Sequence, residues 1–115
     1  MVKVEVNRKM RPIKFRAWCN QKMFEPFDLM DLKEPIDYWH DGTILMQFTG
    51  LHDKNGKEIF EGDIIKDLGA GYEEIITPVR FYQGAFCDSY WNQCINNYKY
   101  CEVLGNIYEN PELLK

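Results

Sequence analysis

The chain has 115 residues, of which 45% are hydrophobic and 15% aromatic, and its formal net charge is −4. This length suits one domain, and the apolar side chains suffice for a core without disulfides or metal, which argues against extensive disorder. No apolar run approaches the roughly 18 residues of a membrane span, and the N-terminal residues lack the apolar region of a signal peptide. We therefore expect a cytoplasmic protein with reduced cysteines and no membrane association.

The positive charge is concentrated at the N-terminus, whereas the rest of the chain is acidic. Apolar residues alternate with polar ones at Val2, Val4 and Val6, which suits an extended arm, an edge strand or a frayed leader. We predict an N-terminal arm at residues 1–9 and a single β domain at residues 10–115. A basic arm suits either phosphates or an acidic face of a neighbouring subunit. Its positive charge comes from six residues within the first sixteen: Lys3, Arg8, Lys9, Arg11, Lys14 and Arg16.

The first predicted strand covers residues 13–18, where apolar and polar side chains alternate strictly. The alternation places Lys14, Arg16 and Trp18 on one face of the strand, which we expect to be exposed. Residues 19–22 predict a turn into a second short strand. Pro26 is expected to limit that strand, and residues 26–37 then suit either a packed loop or one helical turn.

The stretch 48–65 organises the middle of the chain. Asn55-Gly56 predicts a two-residue hairpin turn of type I′, in which both central residues have positive φ. Gly62 and Asp63 predict a bend into the next strand, with the Asp63 carboxylate accepting hydrogen bonds from turn N–H groups. The less favoured alternative is a divalent cation site that Asp63 shares with neighbouring glutamates.

The remaining elements are short strands at intervals typical of a small barrel or sandwich. Residues 43–48 predict a central strand, and residues 75–82 predict another in which Pro78 favours an edge position or a bulge. A last strand is expected within residues 101–108. Asn110 and Pro111 then form a helix start signal with room for a single turn.

Neither the cysteines nor the histidines form a strong motif. Cys87, Cys94 and Cys101 are spaced seven apart, unlike the close pairs of zinc sites, so free and partly buried thiols are favoured. His52 precedes Asp53, but neighbouring residues of a strand point to opposite faces, so this carboxylate is poorly placed to orient the imidazole. We expect no metal and no cofactor.

Three stretches together resemble the YopX family of phage and prophage proteins: residues 13–18, 48–65 and 103–114, in matching order and spacing. The resemblance covers residues 10–114. It implies a mainly β, SH3-like small barrel of short antiparallel strands with irregular additions. It implies no activity, because none is established for the family.

From these features we expect a non-enzymatic phage or prophage accessory protein that forms a homo-oligomer and binds an unknown phage or host protein. Aromatic side chains are enriched at subunit interfaces, and association is an economical way to cover strand edges. The alternative is a nucleic-acid-binding barrel whose basic residues contact phosphates and whose aromatic residues stack on bases. The candidate contacts for either function are Arg8, Lys9, Arg11, Lys14, Arg16, Trp18, Trp91 and Tyr98. The least favoured class is a metal-dependent enzyme built on His52, Asp53 and Glu61.

Overall fold

A computed structural model of the protein describes residues 13–28, 42–68, 74–82, 84–88 and 100–115. These residues form eight strands and one short 3₁₀ helix, so the predicted mainly β class is confirmed. The strands are β1 (Lys14–Cys19), β2 (Lys22–Asp28), β3 (Ile44–His52), β4 (Glu58–Phe60), β5 (Asp63–Leu68), β6 (Glu74–Tyr82), β7 (Ala85–Asp88) and β8 (Glu102–Asn106). The 3₁₀ helix spans Pro111–Leu114. No helix in the described part of the chain is long and apolar enough to cross a membrane.

The strands form two antiparallel sheets of four, which together make a small barrel. The strand order is β2-β1-β3-β4 in the first sheet and β7-β6-β5-β8 in the second. Between the sheets, Ile59 from β4 packs with Ile65 and Val79 from the second sheet and with Cys101. All four are essentially inaccessible to solvent. Burial of this apolar surface is the main force that holds the two sheets together.

The two predicted hairpins of the first sheet form, but the turn at Asn55-Gly56 is not of the predicted type. Gly56 N–H donates to the Asp53 carbonyl at 3.0 Å, and Asp53 N–H donates to the Lys57 carbonyl at 2.8 Å. Asn55 does not have positive φ, so the predicted type I′ turn at Asn55-Gly56 was wrong. Five residues, 53–57, lie between β3 and β4, and of these only Gly56 takes the left-handed conformation, with φ of +81°. Positive φ at two successive residues occurs instead in the β1–β2 turn, at Asn20 (+51°) and Gln21 (+61°).

Pro26 does not end the second strand, which continues to Asp28. The β1–β2 register shifts between Phe15 and Ala17, whose partners are Phe27 and Phe24. Glu25 and Pro26 therefore lie opposite the single residue Arg16, which is the arrangement of a β-bulge. A bulge interrupts the ladder of hydrogen bonds, so the missing N–H of proline is tolerated there.

Pro78 also lies inside a strand, and the expectation that its strand is at an edge was wrong, because β6 lies between β5 and β7. Gly62 N–H donates to the Val79 carbonyl, which therefore points toward β5. Because successive residues of a strand direct their backbone groups to opposite sides, Pro78 directs its nitrogen toward β7. The pairing described between β6 and β7 spans Val79 to Tyr82, so Pro78 lies just beyond it.

The other strand predictions agree with the structure where it is described. The predicted central strand is β3, which continues through Gly50 (φ +87°) to His52 with an irregular register toward β4. Asn110 and Pro111 begin the 3₁₀ helix as expected, although Asn110 makes no side-chain cap. Its Oδ1 accepts the Asn106 N–H at 3.2 Å instead. The N-terminal arm, most of the loop predicted at residues 26–37, and residues 89–99 lie outside the described residues.

Candidate interaction groove

A buried ion pair joins the first sheet to the bend predicted at Gly62-Asp63. Arg16 Nη2 lies 2.7 Å from Asp63 Oδ1, and the two side chains are only 11% and 2% exposed. The other Asp63 oxygen accepts the Phe60 N–H at 2.7 Å, as expected for a carboxylate in a tight turn. Arg16 also donates to the Glu61 carbonyl at 3.2 Å, and its guanidinium carbon lies 4.9 Å from the centre of the Phe60 ring. Arg16 thus contacts three residues at the bend: Phe60, Glu61 and Asp63.

The pKa of Asp63 is set mainly by the burial of the ion pair. Burial raises the pKa of the Asp63 carboxyl, while the Arg16 charge and the Phe60 N–H offset part of that shift. Arg16 Nε is buried and lacks a hydrogen-bond partner within the described part of the chain. A buried donor without an acceptor is costly, so this N–H lowers the net stabilisation that the ion pair provides.

Gly62 gives the bend its shape. Its φ of +81° is favourable only for a residue without a side chain, and a Cβ there would lie 3.1 Å from Met46 Sδ. Gly62 N–H donates to Val79, and its carbonyl accepts the Ile107 N–H, each at 2.8 Å. The bend therefore ties β6 and the segment after β8 to the first sheet, which keeps Asp63 within reach of Arg16.

Beside the ion pair lies an open groove of about 390 Å³, which we call the interaction groove. Its apolar part comes from β2 and β4, and Phe24 there is 46% exposed. Its charged part includes Glu25 and Glu109 as well as Lys57. The full lining is Arg16, Met23, Phe24, Glu25, Pro26, Lys57, Glu58, Phe60 and Glu109.

The opposite end of the β3–β4 hairpin is held by Asp53. Its Oδ1 accepts the N–H groups of Asn55 and Lys57, and its Oδ2 accepts that of Val103 in β8, each at 2.9 Å. Burial alone raises the pKa of this carboxyl, but the three N–H groups and the Lys57 charge outweigh burial and hold the pKa below its ordinary value. Asp53 therefore fastens the hairpin that carries Lys57 and Glu58 to the second sheet.

The predicted contact residues of β1 share one face, as the alternation implied, but this face is covered. Lys14 Nζ lies 2.6 Å from Glu58 Oε2, and Trp18 stacks on Tyr108 with ring centres 5.5 Å apart. The expectation that Arg16 is exposed was wrong, because the β3–β4 hairpin and the following bend fold over it. Of the other predicted contacts, Arg8, Lys9, Arg11, Trp91 and Tyr98 lie outside the described residues.

The structure does not gather His52, Asp53 and Glu61 into one site. The Asp53 oxygens are occupied by backbone N–H groups, and Glu61 Oε1 accepts the Gln47 N–H at 2.9 Å. His52 is exposed, with its ring edge-on to that of Phe48. Among the residues that the structure describes, no three His, Cys, Asp or Glu side chains are placed to hold a metal ion.

Sequence reasoning missed most of the groove. Phe24, Glu25 and Pro26 were assigned to the end of a short strand and a loop, and Glu109 was given no role. The groove residues come from three parts of the chain, within residues 16–26, within residues 57–60 and at Glu109, which are separated by more than thirty positions and share no motif. The one available signal was the apolar sequence around Pro26, which is unusual for a solvated loop.

The fold and the groove define a class: a small, mainly β barrel with a mixed apolar and charged groove beside a buried ion pair. A model of the YopX protein family matches residues 25–115, and the chain belongs to the YopX family. Its fold is similar to the crystal structure of protein EF1440 from Enterococcus faecalis, with a TM-score of 0.65 and 28% sequence identity. That similarity covers 90% of this chain and 98% of the other. No curated protein matches the chain.

Proposed function

We propose that this protein is a non-enzymatic accessory protein of a phage or prophage, which acts in the cytoplasm of the bacterial host. It self-associates and binds another macromolecule. The observation that carries the proposal is the interaction groove, because it combines an exposed aromatic side chain, Phe24, with charged side chains. Protein interfaces combine the same elements: an apolar centre, aromatic anchors and a polar rim.

The partners of Asp53 and Asp63 support binding over catalysis at these two carboxylates. Asp63 and Asp53 hold backbone N–H groups, and Asp63 also balances the charge of Arg16. A catalytic carboxylate needs a lone pair or proton directed at substrate, whereas these oxygens have structural partners. The groove offers Glu25 and Glu109 at its rim, where they suit basic groups of a partner.

The alternative function, nucleic-acid binding, draws on the basic arm. Two of its predicted phosphate contacts, Lys14 and Arg16, are paired with Glu58 and Asp63 in the folded chain. Phosphate contact by these two would require breaking an ion pair, which lowers their contribution to affinity. We therefore favour a protein partner.

The test is the absolute mass in solution, measured by light scattering at low and high salt, with absorbance at 260 and 280 nm. A nucleic-acid-free closed oligomer at micromolar concentration is the expected result. A monomer would contradict self-association. A monomer that carries nucleic acid, released as salt rises, would support the alternative instead.

A further inference from the structure

We propose that the interaction groove binds the basic N-terminal segment, residues 1–12, of a second copy of this chain. The proposal rests on the proposed self-association and names the surface and the segment that produce it. Two observations carry it: the apolar lining of the groove and the charge at its rim.

The groove suits an extended peptide with small apolar side chains. Phe24 and Pro26 provide apolar surface, and Phe24 is 46% exposed in the single chain. Covering such surface is favourable, because apolar surface is removed from water. In residues 1–12 the valines at positions 2, 4 and 6 alternate with polar residues, so an extended segment would turn all three to one side.

The rim charges favour a basic segment. Glu58 is already paired with Lys14, which leaves Glu25 and Glu109 against Lys57 among the charged lining residues. Glu109 Oε1 accepts an N–H of Asn106 at 2.9 Å, whereas Glu25 makes no ion pair within the described residues. Residues 1–12 carry four basic side chains against Glu5, and the rest of the chain is acidic. Contact between two acidic bodies is repulsive, so a basic segment reaching across the contact lowers that repulsion.

A second copy is the better source of the segment than the same chain. Lys14 pairs with Asp28, whereas the groove is lined by β2 residues 23–26, nearer the other end of that strand. The chain would have to reverse within a few residues of Lys14 to reach its own groove. Reciprocal exchange of the segment between two copies gives a closed dimer, in which both grooves are occupied.

Charge exchange in the full-length protein tests the proposal. Glu25→Lys alters the groove, Arg8→Glu/Lys9→Glu/Arg11→Glu alters the segment, and Glu112→Lys is the matched control on the exposed 3₁₀ helix. We expect each of the first two variants to weaken the dimer by about tenfold or more, measured by sedimentation, with the control unchanged. An equimolar mixture of the two altered proteins should associate with near wild-type affinity, because each segment then meets a groove of opposite charge.

The outcomes separate this inference from the proposed function. If the wild type is a dimer and both variants dimerise with the same dissociation constant as the wild type, the inference is overturned and self-association still stands. A wild-type monomer would overturn both. A photoreactive residue at Val6 reports the source of the segment: crosslinks to β2 between two chains support exchange, whereas crosslinks within one chain contradict it.

Discussion

Removing the carboxylate of Asp63 should cost more stability than any other charge deletion in the described chain. In Asp63→Ala, Arg16 keeps its positive charge with an 11% exposed side chain and no counter-ion. Breaking a buried ion pair from one side costs about 3–5 kcal/mol, and the Phe60 N–H, left without its acceptor, adds about 1 kcal/mol. A domain of this size is stable by about 5–15 kcal/mol in total, so the variant should be marginally folded.

The measurement is urea unfolding followed by tryptophan fluorescence and circular dichroism. Glu58→Ala is the matched control, because its pair with Lys14 is about one-quarter to one-third exposed, with side chains at 26% and 31%. Removing such a pair costs about 1 kcal/mol or less. The double variant Arg16→Met/Asp63→Ala should be more stable than Asp63→Ala alone by about 2 kcal/mol, since no unpaired charge stays buried.

Two results would refute this reasoning. One is a loss of less than about 1 kcal/mol in Asp63→Ala, equal to that of Glu58→Ala, which would mean that the pair is as solvated as a surface pair. The other is a double variant whose loss is the sum of the single losses, which would mean that the two side chains do not interact. Should Asp63→Ala fail to fold, Asp63→Asn retains an acceptor for the Phe60 N–H and allows the same comparison.

Three further predictions concern backbone conformation, pH and thiol reactivity. Gly62→Ala should lower the free energy of unfolding by about 2 kcal/mol, because φ is +81° and the added Cβ would contact Met46. Gly56 has the same φ but no atom within 4 Å of an added Cβ, so Gly56→Ala should lower the free energy of unfolding by about 1 kcal/mol. Equal losses in the two variants would show that the contact with Met46 is relaxed. Asp53 has a lowered pKa in the folded state, so its stabilisation is present above the ordinary value of 3.8 and is lost as pH falls through the folded value. Asp53→Asn should therefore be less stable than wild type at pH 7, with a gap that narrows toward pH 3 in urea unfolding; a constant gap would contradict this. Cys101 is fully buried with its pKa raised to about 11, so iodoacetamide at pH 8 should modify it only in denaturant, as peptide mass analysis can check.

Local sequence patterns determined most of the strands because strand periodicity and turn chemistry are properties of neighbouring residues. The alternation at residues 13–18 placed Lys14, Arg16 and Trp18 on one face, and Gly62-Asp63 marked the bend that the structure contains. The hairpin at Asn55-Gly56 was also predictable from these two residues. Its turn type was not, because Asp53 accepts the N–H groups of Asn55 and Lys57 within the loop and also that of Val103 in the distant β8.

Tertiary structure alone decided which faces are covered and where the groove lies. Pro26 and Pro78 indicated interrupted or edge strands. In the structure, the N–H that Pro26 lacks falls at a bulge opposite β1, and the N–H that Pro78 lacks falls just beyond the pairing with β7. Both positions depend on the partner strand and its register. Arg16 alternates like an exposed residue, and it is buried only because the bend near residue 63 folds back over β1. Burial and electrostatic pairing depend on distance in space, and a single sequence read by its local patterns reports only distance along the chain.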